Sequence, residues 1–249
     1  MAFLDILGYQ SFMENNQAGK AAATVLKVLN LLPHGIPELT SSFMPKSRDE
    51  FRRRLSRIKW LVFSDSILLT LAYRDRDAPE LRKGWWLIFL LNLTYLYWNM
   101  LRFGLPIRGA VSCGEFTVGG NCFAGVPIID AYRTGNALDV SAVALTASGT
   151  EELRRLSEAA GNGALAVLTA PYRFPMKSCE RRQLTALMPC FSLPTDQPDI
   201  RRYVSGSFSA HGKDVPQGAV SKLDNTVSYI QDVFKRRAKL FPERPAGES

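Results

Sequence analysis

The stretch WLVFSDSILLTLAY (60–73) decides the fold. Two apolar runs flank the short polar group Ser64-Asp65-Ser66, and that pattern reads as two antiparallel strands joined by a tight turn. Both strands of such a hairpin need neighbours. MAFLDILGYQSF (1–12) supplies one of them, because Phe3, Leu4, Ile6 and Leu7 read as a short buried strand over 2–7, ended by Gly8. That strand carries a lone carboxylate, Asp5. An unpaired carboxylate is costly to bury, so Asp5 requires a cation or a donor. The alternative reading is a turn aspartate that caps the helix after it.

Outward from these two strands, SFMENNQAGKAAATVLKVLNLL (11–32) has helical apolar spacing, with Pro33 and Gly35 as stop signals. HGIPELTSSFMPKS (34–47) reads as a loop and KSRDEFRRRLSRIK (46–59) as a basic helix. A long apolar helix is predicted over 79–103, closed by Gly104. LPIRGAVSCGEFTV (105–118) is strand-like, with Gly109 and Gly114 as points for a bulge or close backbone approach. GVPIIDAY (125–132) opens a further helix. VSAVALT and ALAVLTA read as strands around the short helix GTEELRRLSEAA, and QLTALMPCFSL (183–193) as a late strand. A helix is predicted over 219–241, followed by the frayed tail PERPAGES. The element order describes an α+β fold, with helices packed on one face of a mainly antiparallel sheet. Residues 1–195 are expected to form the main domain and 196–249 a C-terminal helical extension with a disordered tail.

The 249 residues are 46% apolar and 22% charged, the balance of an ordinary globular protein. The net charge of +8 suits a polyanionic partner: nucleic acid, an acidic membrane face or a nucleoside triphosphate. Much of the excess lies in the 46–59 run. It lacks interleaved aromatics, and no helix-turn-helix or zinc-finger spacing is present, so no stable nucleic-acid partner is expected. Cys113, Cys122, Cys179 and Cys190 have no CxxC spacing, and His34 and His211 are the only histidines, which argues against structural zinc. No secretory leader is expected, and reduced thiols fit a cytoplasmic protein. GWWLIFLLNLTYLYWNML (84–101) approaches the length of a membrane span. Asn92, Thr94 and Asn99 interrupt it and Arg82, Lys83 and Arg102 bracket it, so a buried helix is expected instead.

In this strand order Asp5 and Asp65 converge, although 60 positions separate them (65 − 5 = 60). Two carboxylates brought close together repel unless one takes a proton or a divalent cation sits between them. Oxygen-only ligation without His or Cys selects Mg²⁺ or Mn²⁺. A pair of such ions polarises a triphosphate and acidifies an attacking hydroxyl.

FLDILGY with VFSDSILL resembles the two metal-binding segments of the class III nucleotidyl (adenylate/guanylate) cyclases, whose usual forms are FxDIxGF and a hairpin Asp after a small residue. IRGAVSCGE (107–115) is similar to their RxGxxxG strand, through Arg108, Ala110 in place of the first Gly, and Gly114. GVPIIDAYR (125–133) resembles their helix with Gly at its start and Arg eight residues on. The likeness covers about residues 1–190 and is specific at the first two motifs. FSDSI, with AY followed by RTGN, is most similar to the divergent bacterial pyrimidine cyclases of Pycsar anti-phage systems.

The resemblance implies a ferredoxin-like, palm-type catalytic domain and a homodimer with composite active sites. Asp5, Asp65 and the backbone carbonyl of Ile6 would hold two Mg²⁺ or Mn²⁺ ions. Backbone amides from Leu7 through Gly8 to Tyr9 would cradle the triphosphate. Arg133, supplied by the second subunit, would steady charge on phosphorus, and Lys177 would bind phosphate. Leu61 stands where purine cyclases place a base-reading lysine, and Ile129 where they place a ribose-orienting asparagine. Both departures favour a pyrimidine base. The implied reaction converts UTP, or next CTP, to cUMP or cCMP plus pyrophosphate, a second messenger for a cyclic-nucleotide-binding effector in antiviral defence. A diguanylate-cyclase or polymerase-palm relative would share the two-aspartate chemistry, but Ser64-Asp65-Ser66 is not GG(D/E)EF. From another class, a non-catalytic nucleotide- or nucleic-acid-binding module would use the basic 46–59 run.

Overall fold

A computed structural model describes residues 1–39, 57–74, 76–119, 122–161, 163–189, 199–213, 215 and 217–241. Strand β1 (Ala2–Ile6) pairs antiparallel with β3 (Ser66–Leu71) on one side and with β4 (Ile107–Val111) on the other. The hairpin read from 60–73 is present: β2 (Ile58–Phe63) pairs with β3, and Phe63 lies opposite Ser66 across the Ser64-Asp65 turn. Strand β5 (Thr117–Gly119) and β6 (Cys122–Ala124) form a separate ribbon. β7 (Val143–Leu145) continues the main sheet parallel to β4, and the antiparallel pair β8 (Thr169–Pro175) and β9 (Arg181–Leu187) completes it. The resulting order of seven strands is β2-β3-β1-β4-β7-β9-β8. This is a mixed α/β fold built on a large, mostly antiparallel sheet.

Period-two alternation assigns the two faces of that sheet. Ala2, Leu4 and Ile6 of β1 join Ile67, Leu69, Ile107 and Val111 in the main core. Phe3 of the same strand joins Leu68 and Ala110 in a smaller cluster on the opposite face. Phe12 of helix α1 (Tyr9–Glu14), Ala21, Val25 and Val28 of α2 (Ala18–Leu39), and Trp86, Leu90 and Leu93 of α3 (Pro79–Arg102) lie in the main core. Helix α4 (Val126–Ala137) places Ala131 and Ile128 in the smaller cluster. The helices are therefore not confined to one face as expected: α4 covers the other, and that is the face onto which Asp5 and Arg108 alternate.

Helix α3 is apolar all round because it is central. Leu90, Leu93 and Leu96 are fully enclosed, Trp98 Nε1 donates to the Pro189 carbonyl at 2.7 Å, and Tyr97 donates to the Ser141 carbonyl at 2.9 Å. Asn92 within it donates to its own Ile88 carbonyl at 2.8 Å, so a buried amide is satisfied locally. No helix among the described residues is long and apolar enough to cross a membrane.

Helix α5 (Ala147–Ala160) is present as read, with Thr146 as its side-chain cap. Three readings require correction. The single helix over 11–32 is two, because Asn15 and Asn16 turn their side chains onto the Gly212 and His211 carbonyls at 2.7 and 2.9 Å. Helix α2 then continues past Pro33 and Gly35 to Leu39. Packing of Ala21, Val25 and Val28 against the core outweighs those two breakers. ALAVLTA is mostly helix α6 (Gly163–Leu168), with Leu165 and Leu168 buried three residues apart on one face, and β8 begins only at Thr169. The basic run lies outside the described residues from 46 to 56, while Ile58 and Lys59 belong to β2. Residues 40–47 of the expected loop and the 242–249 tail also lie outside them.

After residue 195 come α7 (Ile200–Ser209) and α8 (Val220–Leu240). Val204 and Phe208 of α7, with Leu223, Val227, Tyr229, Ile230 and Val233 of α8, lie in the same core as β1. Lys213, between these helices, is buried; its ammonium donates to the Gly104 and Ser207 carbonyls.

Candidate functional site

Strand pairing places Asp5 between Ser66 on β3 and Arg108 on β4. The Ile6 amide donates to the Asp65 carbonyl at 2.8 Å and fixes the hairpin tip beside the end of β1. Asp5 and Asp65 then line one cavity of about 380 Å³ together with Ser66, Arg108, Tyr132 and Asn136. The convergence expected from 60 residues apart is thus found.

The geometry adds a partner that the spacing did not supply. Arg108, 7% exposed, donates from Nε and Nη2 to a single Asp5 oxygen, Oδ2, at 3.0 and 2.9 Å. Its Nη1 reaches the Leu138 carbonyl at 3.2 Å, and Nη2 also reaches Asn136 Oδ1 at 3.0 Å. Asn136 Oδ1 accepts as well from Lys177 Nζ at 2.8 Å. Burial pushes the Asp5 carboxyl above its ordinary value; Arg108 lowers it, and the neighbouring Asp65 carboxyl raises it again. Burial together with Arg108 and Lys222 holds the Lys177 ammonium below its ordinary value, against Asp5 and Asp139.

Gly135 lets α4 approach β4 this closely, and Gly109 lets β4 lie tightly against β1. A Cβ on Gly135 would stand 2.7 Å from the Gly109 Cα, and one on Gly109 would strike the Phe3 carbonyl at 2.1 Å. Their contact sets Asn136 over Arg108. Tyr132 rises from the same helix, 49% exposed, with its ring edge-on to Phe3 at 5.3 Å.

Besides Asp5 and Asp65, the lining residues carry the Ser66 and Tyr132 hydroxyls, while Asn136 Oδ1 is taken by Arg108 and Lys177. Oxygen donors without His or Cys suit a hard divalent cation. Among the described residues no group of three or more His, Cys, Asp and Glu side chains could hold a metal. An ion here would take its remaining ligands from backbone carbonyls, water or a bound phosphate, as Mg²⁺ commonly does.

The other residues singled out from the sequence fall outside the cavity lining. Arg133 is exposed on α4. Ile129 is 48% exposed, and Leu61 packs on the small cluster of Met1, Leu68, Ala110 and Ala131. Lys177 reaches the site only through Asn136. The Leu7 side chain is buried in the main core, and its amide is committed to the Pro106 carbonyl at 2.8 Å. Gly8 has φ 73°, a left-handed conformation that suits glycine, and Tyr9 packs 6.1 Å from Phe12.

Arg108, Asn136 and Tyr132 are the site residues that sequence reasoning did not assign a role. The available signal was one arginine within an otherwise apolar strand, IRGAV. A larger cleft of about 1190 Å³ borders the start of β1 and α5. Among its polar lining residues, Tyr73 donates to Glu152 at 3.0 Å, with Glu152 paired to Arg82 at 3.5 Å. Neither a family model, a curated protein nor a solved structure matches the chain.

Proposed function

We propose that the chain is a nucleotidyl cyclase, converting a nucleoside triphosphate to a 3′,5′-cyclic mononucleotide and pyrophosphate. The observation that carries this reading is the single cavity shared by Asp5 and Asp65. The order β1, two helices, β2–β3 hairpin, α3, β4, with strands arranged 2-3-1-4, supports a ferredoxin-like, palm-type frame for that pair. The substrate ranking remains UTP, then CTP, on the apolar side chains Leu61 and Ile129 at the two positions where purine cyclases keep polar ones.

In this reading Asp5, Asp65 and the Ile6 carbonyl hold Mg²⁺ or Mn²⁺, which supplies charge neutralisation for the triphosphate and a more acidic 3′-hydroxyl. The bond from the 3′ oxygen to the α-phosphorus forms as the bond to pyrophosphate breaks, and the hydroxyl proton passes to water. Asp65 presents its carboxylate from a hairpin turn tied to the end of β1, so both acids sit at one end of the sheet. Tyr132 and Phe3 wall the cavity with aromatic surface. Arg133, exposed and outside its own chain's cavity, serves the site of a second copy in a homodimer and steadies charge on phosphorus. The product is then a second messenger for a cyclic-nucleotide-binding effector, in anti-phage defence.

The Arg108–Asp5 contact favours a second reading. The guanidinium already compensates one carboxylate, as a purely structural ion pair would. The chain would then be a non-catalytic nucleotide- or nucleic-acid-binding module using its basic surface. Incubation with Mn²⁺ and each ribonucleoside triphosphate separates the two. Cyclic mononucleotide, most from UTP, supports the cyclase. No cyclic product with any of them, alongside salt-dependent RNA binding that survives Asp5→Ala, supports the module.

A further inference from the structure

A chain of side chains runs from the surface to one oxygen of Asp5, and each link has hydrogen-bond length. Lys177 Nζ donates to Asn136 Oδ1 at 2.8 Å, and Arg108 Nη2 donates to the same oxygen at 3.0 Å. Of the two Asp5 oxygens, Arg108 Nε and Nη2 meet only Oδ2, which leaves Oδ1 without a guanidinium contact. The Leu138 carbonyl takes Nη1, so the buried guanidinium is held on three sides. Arg108 has a second, opposite interpretation: a cation that plugs the site and competes with any metal. The geometry argues against a plug. A competitor would bridge Asp5 and Asp65, whereas among the described contacts the guanidinium meets Asp5, Asn136 and Leu138, with no bond to Asp65.

We infer that Arg108 is a positioning residue, held by Asn136 and, through it, by Lys177, that turns Oδ1 of Asp5, the oxygen it does not contact, toward a divalent cation shared with Asp65. The inference rests on the metal-binding reading of the Asp5–Asp65 pair and adds the residues that tune it. Ligand carboxylates are commonly fixed by such outer hydrogen bonds, and removing one lowers metal affinity by about 10- to 100-fold. Asn136 and Lys177 are exposed, so truncating either does not open the core.

Mn²⁺ affinity measured by electron paramagnetic resonance, with no nucleotide present, is the direct readout. Asn136→Ala should weaken Mn²⁺ binding about tenfold, Lys177→Ala should weaken it less in the same direction, and both should melt within a degree or two of the parent. Lys235→Ala, on the outer surface of α8 beside Asp232, should change nothing. Unchanged or tighter Mn²⁺ binding in Asn136→Ala overturns the inference and assigns Arg108 the role of plug. If the parent itself binds no Mn²⁺, the proposed function fails, and a metal-free double-mutant cycle decides the relay. Urea midpoints of Asp5→Asn, Asn136→Ala and the pair should then combine non-additively through Arg108, and additive shifts would sink the relay as well.

Discussion

Asp5 and Arg108 face each other across adjacent antiparallel strands, and two guanidinium nitrogens close on one carboxylate oxygen at 2.9 and 3.0 Å. The contact explains how a strand otherwise made of Ala2, Phe3, Leu4 and Ile6 tolerates an acid. Asp65 lines the same cavity, and Lys177 and Lys222 also lie within electrostatic reach of Asp5, so the site gathers two carboxylates among several cations.

Removing the arginine strands a part-buried carboxylate. Arg108→Met should destabilise the fold by about 3 kcal/mol, with Asp5→Asn in the same chain recovering much of it. Arg108→Lys should fall between, because a point ammonium cannot reproduce the Nε and Nη2 fork while also reaching Asn136 and Leu138. Urea denaturation of the four proteins checks this, and equal midpoints for Arg108→Met with and without Asp5→Asn would refute the pairing.

Asp65→Ala should abolish cyclic nucleotide formation and leave the far-ultraviolet circular dichroism spectrum unchanged. The hairpin survives because the Ile6 amide binds the backbone carbonyl of Asp65, which alanine retains. Wild-type turnover in this variant removes the carboxylate from the mechanism.

The Gly135–Gly109 contact should be intolerant of a single methyl. Gly135→Ala places a Cβ 2.7 Å from the Gly109 Cα and 2.9 Å from its carbonyl carbon, so α4 must lift from β4. The expected loss is about 1–3 kcal/mol, with Asn136 drawn away from Arg108. Thermal melting and Mn²⁺ titration read the two effects, and a variant with parental values in both would show that α4 is free to move.

Lys213 gives a pH signature. Burial pulls its ammonium down to about 8 from an ordinary 10.5. Below about pH 8 Lys213 is protonated in both states and adds no slope of its own. Between the folded and unfolded values the unfolded chain holds a proton that the native chain has released, so stability rises with pH. From pH 8 to about pH 9.5 the gain should be on the order of 2 kcal/mol. Tyr73, Tyr97 and Tyr172, whose hydroxyls burial raises, oppose it only above about pH 10. Burial also lowers Lys177 and Lys222, so urea midpoints across this window should rise more steeply in the parent than in Lys213→Met; equal slopes in the two proteins would contradict the assignment.

The hairpin and β1 were legible because alternation and a polar turn are local signals, and their meeting followed from strand order. Arg108 was visible in IRGAV, but its partner was not, since cross-strand register over 103 positions is a tertiary property. ALAVLTA misled because a short apolar run is compatible with either period. Pro33 and Gly35 misled because the packing of α2 overrode their propensity. The face occupied by α4 was legible only in part: Gly109 marked a point of close backbone approach, but that Gly135 is what meets it is a tertiary property. Asn15 and Asn16 likewise looked like ordinary helix residues until residues 211 and 212 were folded against them.

Mn²⁺ titration of the parent, Asp5→Asn and Asp65→Asn, followed by electron paramagnetic resonance, tests the central claim most directly. Saturable binding in the parent, lost or weakened at least about tenfold in each variant, is the predicted result. Equal binding in all three proteins, or none in the parent, would contradict a cation held between these two carboxylates.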